Sequence, residues 1–273
     1  QIKGCAPFYV TLVYGDLMTC EARLKIACAP VLASNGTSWT IAGIEACSQS
    51  LPSVSCSDLL TGKSTTACTA PAGQLADGSP CIDGSQCVNG ACHRTATSTC
   101  GTCGSKGMAG APCVTNDDCA AGFNCNGSGA GAMCAPYGAV AAVCDGTHPC
   151  DPTLACKAGH CAMPDALGQA CNNQPSSSCD SPHGQLCIPS DGGSTCEAIM
   201  TAGGSQPCGF ISGSLIICSA SGNCNTNGGA SGTCQATLAD GTACAAAASG
   251  PQCLPPARCQ NGTCSLPDPT TCH

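Results

Sequence analysis

The sequence is short of charge, of aromatic rings and of long apolar runs. Only 9% of its 273 residues are charged and only 3% are aromatic. An ordinary enzyme domain of this length buries one large aliphatic and aromatic core, and this composition excludes that kind of interior. The eight Lys and Arg are scattered among 16 Asp and Glu, with a formal net charge of −8. Nucleic-acid binders need a concentrated basic footprint, so that class is excluded. The acidity serves solubility. The apolar run from Gly138 to Cys144 is far too short to cross a bilayer, so direct membrane insertion is not expected. Gly-x-Ser-x-Gly, His-Glu-x-x-His and Gly-rich phosphate loops are also absent. No enzyme activity and no cofactor are expected.

What the chain has instead is cysteine: 32 residues, with 35 Gly and 19 Pro. That density makes a small disulfide-rich scaffold the default reading, and it places the protein outside the cell or on its surface. Gln1 reads as the start of a mature form whose leader has been removed. Metal-thiolate proteins cluster their ligands as Cys-x-Cys and Cys-x-x-Cys. Here the first is missing, and the second occurs once, at Cys100 and Cys103. A metal site is therefore not expected.

The cysteines recur in groups of four. Cys113, Cys119, Cys125 and Cys134 form one group, and Cys144, Cys150, Cys156 and Cys161 the next. Cys171, Cys179, Cys187 and Cys196 follow, then Cys208, Cys218, Cys224 and Cys234, then Cys244, Cys253, Cys259 and Cys264. A shortened first copy holds Cys81, Cys87 and Cys92, with Cys100 and Cys103 as a connector. Glycine stands three residues before the first Cys at Gly78, Gly110, Gly168 and Gly241, but not in the third and fifth copies. A turn dipeptide precedes the last Cys of each copy: Asn89-Gly90, Asn126-Gly127, Ala158-Gly159, Asp191-Gly192, Asn227-Gly228 and Asn261-Gly262. Such pairs favour the positive φ angles of tight hairpins. The reading is about six tandem modules with short β-hairpins, forming an elongated body. Their spans are 78–109 (incomplete first module and connector), 110–139, 140–165, 166–200, 201–238 and 239–273.

Residues 1–77 read as a helical head pinned by Cys5, Cys20, Cys28, Cys47, Cys56 and Cys68. Asp16 can cap a helix to about Leu32, with Leu17, Cys20, Leu24, Cys28 and Val31 on the inner face and Arg23 and Lys25 off it. Thr40 can cap a second helix, with Ile41, Ile44, Cys47 and Leu51 inward, and a short third turn fits near Ser57 to Leu60. Phe8 to Tyr14 fits either strand or helix. The neighbouring pattern favours helix.

The repeat resembles the four-cysteine modules of Dickkopf-type and EGF-like proteins. A further resemblance rests on Tyr14-Gly15-Asp16, Cys20, Arg23, Lys25, Cys28, the segment from Leu51 to Cys56, Asp77 to Cys81, Gln86-Cys87 and Cys100 to Cys103. In these residues the chain is similar to uncharacterised secreted Cys-rich proteins of myxobacteria and related bacteria. That similarity implies an extracellular location and this architecture, but no activity.

The five His residues (His93, His148, His160, His183 and His273) lie in different modules, mostly beside a Cys, and read as surface residues. Asp83 and Asp117-Asp118 lack a calcium ligand series and read as solvated loop. Parity is more informative. Cys272 stands alone and the connector region holds an odd number of cysteines, so Cys272 returns there or joins another chain. The leading functional expectation is a secreted structural protein that assembles head to tail with itself into a filament or surface layer. Phe8, Tyr9, Leu12 and Tyr14, or Phe210 with Leu215, Ile216 and Ile217, are the candidate contact surface. The alternative is an extracellular binding module, an adhesin or inhibitor, whose rigid loops meet another protein or a glycan.

Overall fold

The computed structural model describes residues 1–94, 98, 100–127, 131–173, 176–190, 192–245, 250–268 and 272. It is a small disulfide-rich protein: a helical N-terminal region, then a series of small, mostly antiparallel sheets. The chain divides into two compact units. One comprises Gln1, Ala27–Pro152 and Pro267–His273, and the other Ile2–Ile26 and Thr153–Leu266. The expected head of residues 1–77 is thus shared between the two.

Five helices make up the N-terminal region: α1 (Ile2–Cys5), α2 (Pro7–Tyr14), α3 (Leu17–Ala33), α4 (Ile41–Ser50) and α5 (Cys56–Leu60). Their ends follow the sequence signals. Pro7 opens α2, where its missing N–H costs nothing, and Gly15 closes it at φ 84°. Asp16 accepts from the Thr19 amide at 2.7 Å, and that bond holds its carboxyl below the usual range. Thr40 accepts from the Gly43 amide and Ser55 from the Asp58 amide, capping α4 and α5.

The buried face of α3 differs from the expected one. Cys20 and Arg23 are buried, while Leu24 and Cys28 are exposed. The face turns because Arg23 has a partner far along the chain. On α4, Ile41 is likewise exposed rather than inward.

From residue 75 onward a common set of bonds recurs. Five four-cysteine blocks close crosswise, first Cys to third and second to fourth. In the first unit these are Cys81–Cys92 with Cys87–Cys103, and Cys113–Cys125 with Cys119–Cys134. In the second they are Cys171–Cys187 with Cys179–Cys196, Cys208–Cys224 with Cys218–Cys234, and Cys244–Cys259 with Cys253–Cys264. Cys144, Cys150, Cys156 and Cys161 are disulfide-bonded too.

The segment 78–109 therefore holds a full block, not a shortened one. Cys103 is its fourth cysteine, and Cys100 bonds Cys272 instead. The spacing concealed this because strand Gly90–His93 and strand Gly101–Ser105 lie far enough apart in sequence to break the block's regular intervals. Asn89-Gly90 accordingly precedes the hairpin rather than turning it. Ala158-Gly159 (φ 50° and 81°) and Asn261-Gly262 (φ 48° and 79°) are the expected two-residue turns. The turn expected at Asp191-Gly192 falls partly outside the described residues, at Asp191.

Backbone bonds repeat with the disulfides. The residue six before the first Cys pairs in parallel with the second Cys: Leu75 with Cys87, Gly107 with Cys119, Asp165 with Cys179, Ala202 with Cys218, and Leu238 with Cys253. The residue three before the first Cys donates its N–H to the carbonyl of the fourth. Gly78, Gly110, Gly168, Ser205 and Gly241 do so at 2.8–2.9 Å. This position needs positive φ. Where glycine is missing, Ala141 and Ser205 still adopt it, at φ 67° and 65°. The half-cystines themselves are the interior, since the most deeply buried side chains are Cys81, Cys87, Cys134, Cys161, Cys196, Cys208, Cys264 and Ser178. A block of this size lacks the apolar area for a core, and crosslinks supply the order.

Cys20 and Cys28, expected among the disulfide-bonded cysteines of the head, are free. They sit eight residues apart on one helix, about 12 Å, beyond the reach of a disulfide. Cys47 bonds Cys68, and Cys5 and Cys56 are also bonded.

Candidate functional site

In the second unit, α2 lies against the later blocks. The Phe8 ring covers Gly184, where an added Cβ would stand 2.7 Å from it. The α2 carbonyls of Thr11 and Leu12 accept from the amides of Ala220 and Ser221, and Val13 accepts from the Ser221 hydroxyl. Burial pushes the Tyr14 phenol up, reinforced by Tyr9 and Cys20 and opposed by Arg23. Phe8, Leu12 and Tyr14 of the expected contact surface are therefore partly covered by the chain itself. Tyr9, 51% exposed, still faces solvent.

Phe210 is 48% exposed and pairs across the hairpin with Leu215. Ile216 packs against the cystines of its block. These residues share one five-stranded sheet, in the order Met200–Ala202, Ser214–Cys218, Pro207–Ile211, Ser231–Gln235, Asn223–Asn225.

The anchor of α3 is Arg23. Its guanidinium makes a two-pronged pair with Asp240, both contacts 2.7 Å, and donates to the carbonyls of Leu254 and Pro255 at 2.8 Å. The Arg23 side chain is 9% exposed and that of Asp240 34%. Hydrogen bonding from Arg23 holds the Asp240 carboxyl below its usual range, against the opposing effect of burial.

In the first unit, Asp117 and Asp118 do not converge. Asp118 is buried and accepts from the Val114 and Thr115 amides and from His93, the last at 2.8 Å. Burial pushes its carboxyl up, and the two amides and His93 outweigh that, leaving it below the usual range. Gln86 occupies the same place in the preceding block and accepts from the Ile82 and Asp83 amides. Asp118 is thus a structural acceptor, not the solvated loop residue expected. Asp83 caps Ser85. His93, His148 and His183 each meet an Asp within 2.9 Å, and His273 lies outside the described residues.

The sulfurs of Cys81, Cys87 and Cys103 lie within 4.8 Å of one another, and the same grouping recurs in other blocks. All are in disulfides, and an oxidised sulfur is not the thiolate that zinc requires. Burial pushes the thiol of free Cys20 up, with Glu21 adding to it.

A cleft in the first unit was not anticipated from the sequence. One part has a volume of about 620 Å³ and is lined by Trp39, Asp83, Val88, Arg94, Lys106 and Asp117, among others. A smaller part of about 210 Å³ shares Gly62, Lys106, Asp117 and Ala121 with it and continues to Tyr137. Trp39 is held at the rim by its neighbours. The Ser38 hydroxyl donates to the Pro71 carbonyl at 2.6 Å, the Ser38 amide to Ser85, and Thr37 and Ser85 share a hydroxyl–hydroxyl bond of 3.0 Å. Burial pushes the Tyr137 phenol up, with Asp151 adding to it. The one signal in the sequence was that Trp39 is the sole Trp of the chain.

No protein-family model, curated protein or solved structure matches the chain. Among the described residues no helix is long and apolar enough to cross a membrane.

Proposed function

We propose that this is an extracellular structural protein built of tandem four-cysteine modules, whose copies assemble into a filament or surface layer. The observation that supports this reading is where the apolar side chains lie. Half-cystines fill the interiors, and Met108, Val140, Val143, Met163, Leu167 and Phe210 are left facing solvent. Covering such side chains with a second copy gains roughly 25 cal/mol per Å². Cys272 is bonded to Cys100, so assembly rests on non-covalent contact rather than on that thiol. Negative-stain electron microscopy of the oxidised protein tests the proposal, with sedimentation of Phe210→Ser beside it. Ordered filaments or sheets that the variant loses support it, and monomers at every concentration overturn it.

A second reading is an extracellular binding module. The cleft between Trp39 and Tyr137 favours it, being held open by crosslinked loops that need little ordering on binding.

A further inference from the structure

We infer that the cleft from Trp39 to Tyr137 binds a short, uncharged oligosaccharide. The inference rests on the binding-module reading and names its ligand class.

The larger depression, about 620 Å³, lies in the range of small-molecule sites, and the smaller one extends it. Two depressions joined through shared residues suit a linear molecule with repeating parts rather than one compact ligand. Each part has an aromatic side chain, Trp39 in one and Tyr137 in the other. Rings of this kind offer a flat apolar face with a polar edge, which suits the C–H face of a pyranose.

The polar groups narrow the class. Lys106 and Asp117 border both depressions, so the neck between them presents a donor and an acceptor together. Arg94 and Asp83 repeat that combination in the larger part. An anionic polymer would meet two carboxylates, and a cationic one would meet two positive charges. A sugar hydroxyl both donates and accepts, so neighbouring hydroxyls satisfy both kinds of group at once. Gly62, Ala70 and Ala121 keep the walls low, leaving an open trough in place of an enclosed pocket.

Trp39 is the only Trp, so its fluorescence reports this cleft alone. The test titrates the intact, oxidised protein with cellotetraose and with N-acetylated chitotetraose, and repeats each titration by calorimetry. The expected result is a saturable change in emission with at least one sugar. Lys106→Met and Asp117→Asn, both at exposed positions, should each weaken binding about tenfold, the effect of losing one charge-assisted hydrogen bond. Tyr9→Ala, outside the cleft, should leave it unchanged. No saturable signal with either sugar overturns the inference, as does binding that survives both cleft variants. A response confined to a neutral tetrapeptide overturns the sugar assignment and keeps the binding-module reading. Silence with sugar and peptide alike removes both.

Discussion

Helix α3 and the four-cysteine blocks reach order by different routes. In the five crosswise blocks each disulfide is local: the paired cysteines are 11 to 17 residues apart. The chain entropy removed by closing one such loop is worth about 3 kcal/mol, enough to replace an apolar core. Helix α3 has no crosslink of its own. Its fixed point is Arg23, whose partner Asp240 is 217 residues away. Dense local crosslinks make a fold legible and tolerant of a polar surface, whereas one long-range ion pair concentrates the stability of a helix in two side chains.

That contrast can be broken at several points. Asp240→Ala strands the buried Arg23 guanidinium, with an expected loss of about 3 kcal/mol, the low end for a broken buried pair because Asp240 is partly exposed. Arg23→Met should cost less, since a partly exposed carboxylate can regain water. Urea denaturation of both variants checks the order. Removing one cystine as a pair, Cys171→Ser with Cys187→Ser, should cost about 2–4 kcal/mol, read as a lower melting temperature. Thr40→Ala removes the cap of α4 and should cost about 1 kcal/mol in the same assay. The smallest effect has the opposite sign. Ala141→Gly and Ser205→Gly should each stabilise by up to about 1 kcal/mol, because both residues hold a left-handed conformation that suits glycine.

Acid sharpens the contrast further. Asp118, Asp165 and Asp240 all have carboxyls held below their usual range; at Asp165 burial pushes the carboxyl up, and hydrogen bonds from Lys157 and the Ser178 hydroxyl outweigh it. A depressed carboxyl contributes stability that is complete above its unfolded value, about pH 4, and that is lost as pH falls through the folded value. The melting temperature should thus stay level from neutrality to about pH 4.5 and fall below it, with Asp118→Asn less sensitive to acid than the parent.

What could be read from the sequence follows the same division. The cap residues Asp16 and Thr40 and the helix Pro7–Tyr14 depend on neighbours in sequence, and their local signals sufficed. The grouping of cysteines was visible for the same reason. Cys103 was misplaced because the longer interval between Cys92 and Cys103 broke the spacing. The inner face of α3 was misread because helical periodicity counts apolar residues, and Arg23 enters the interior through Asp240 and the carbonyls of Leu254 and Pro255, all far along the chain. The third and fifth copies lack glycine at 141 and 205, and the backbone there keeps the positive φ without it. Trp39 and Tyr137 meet at one cleft only after several turns fold together, which no local pattern encodes.

Crosswise cystines, block by block, order most of this chain and leave two thiols on α3. Non-reducing peptide mapping by mass spectrometry, with thiol titration of the denatured protein, tests this most directly. The expected result is first-to-third and second-to-fourth linkage in each block, Cys100 joined to Cys272, and free thiols at Cys20 and Cys28 alone. Sequential pairing within the blocks, or a protein with no free thiol, would contradict it.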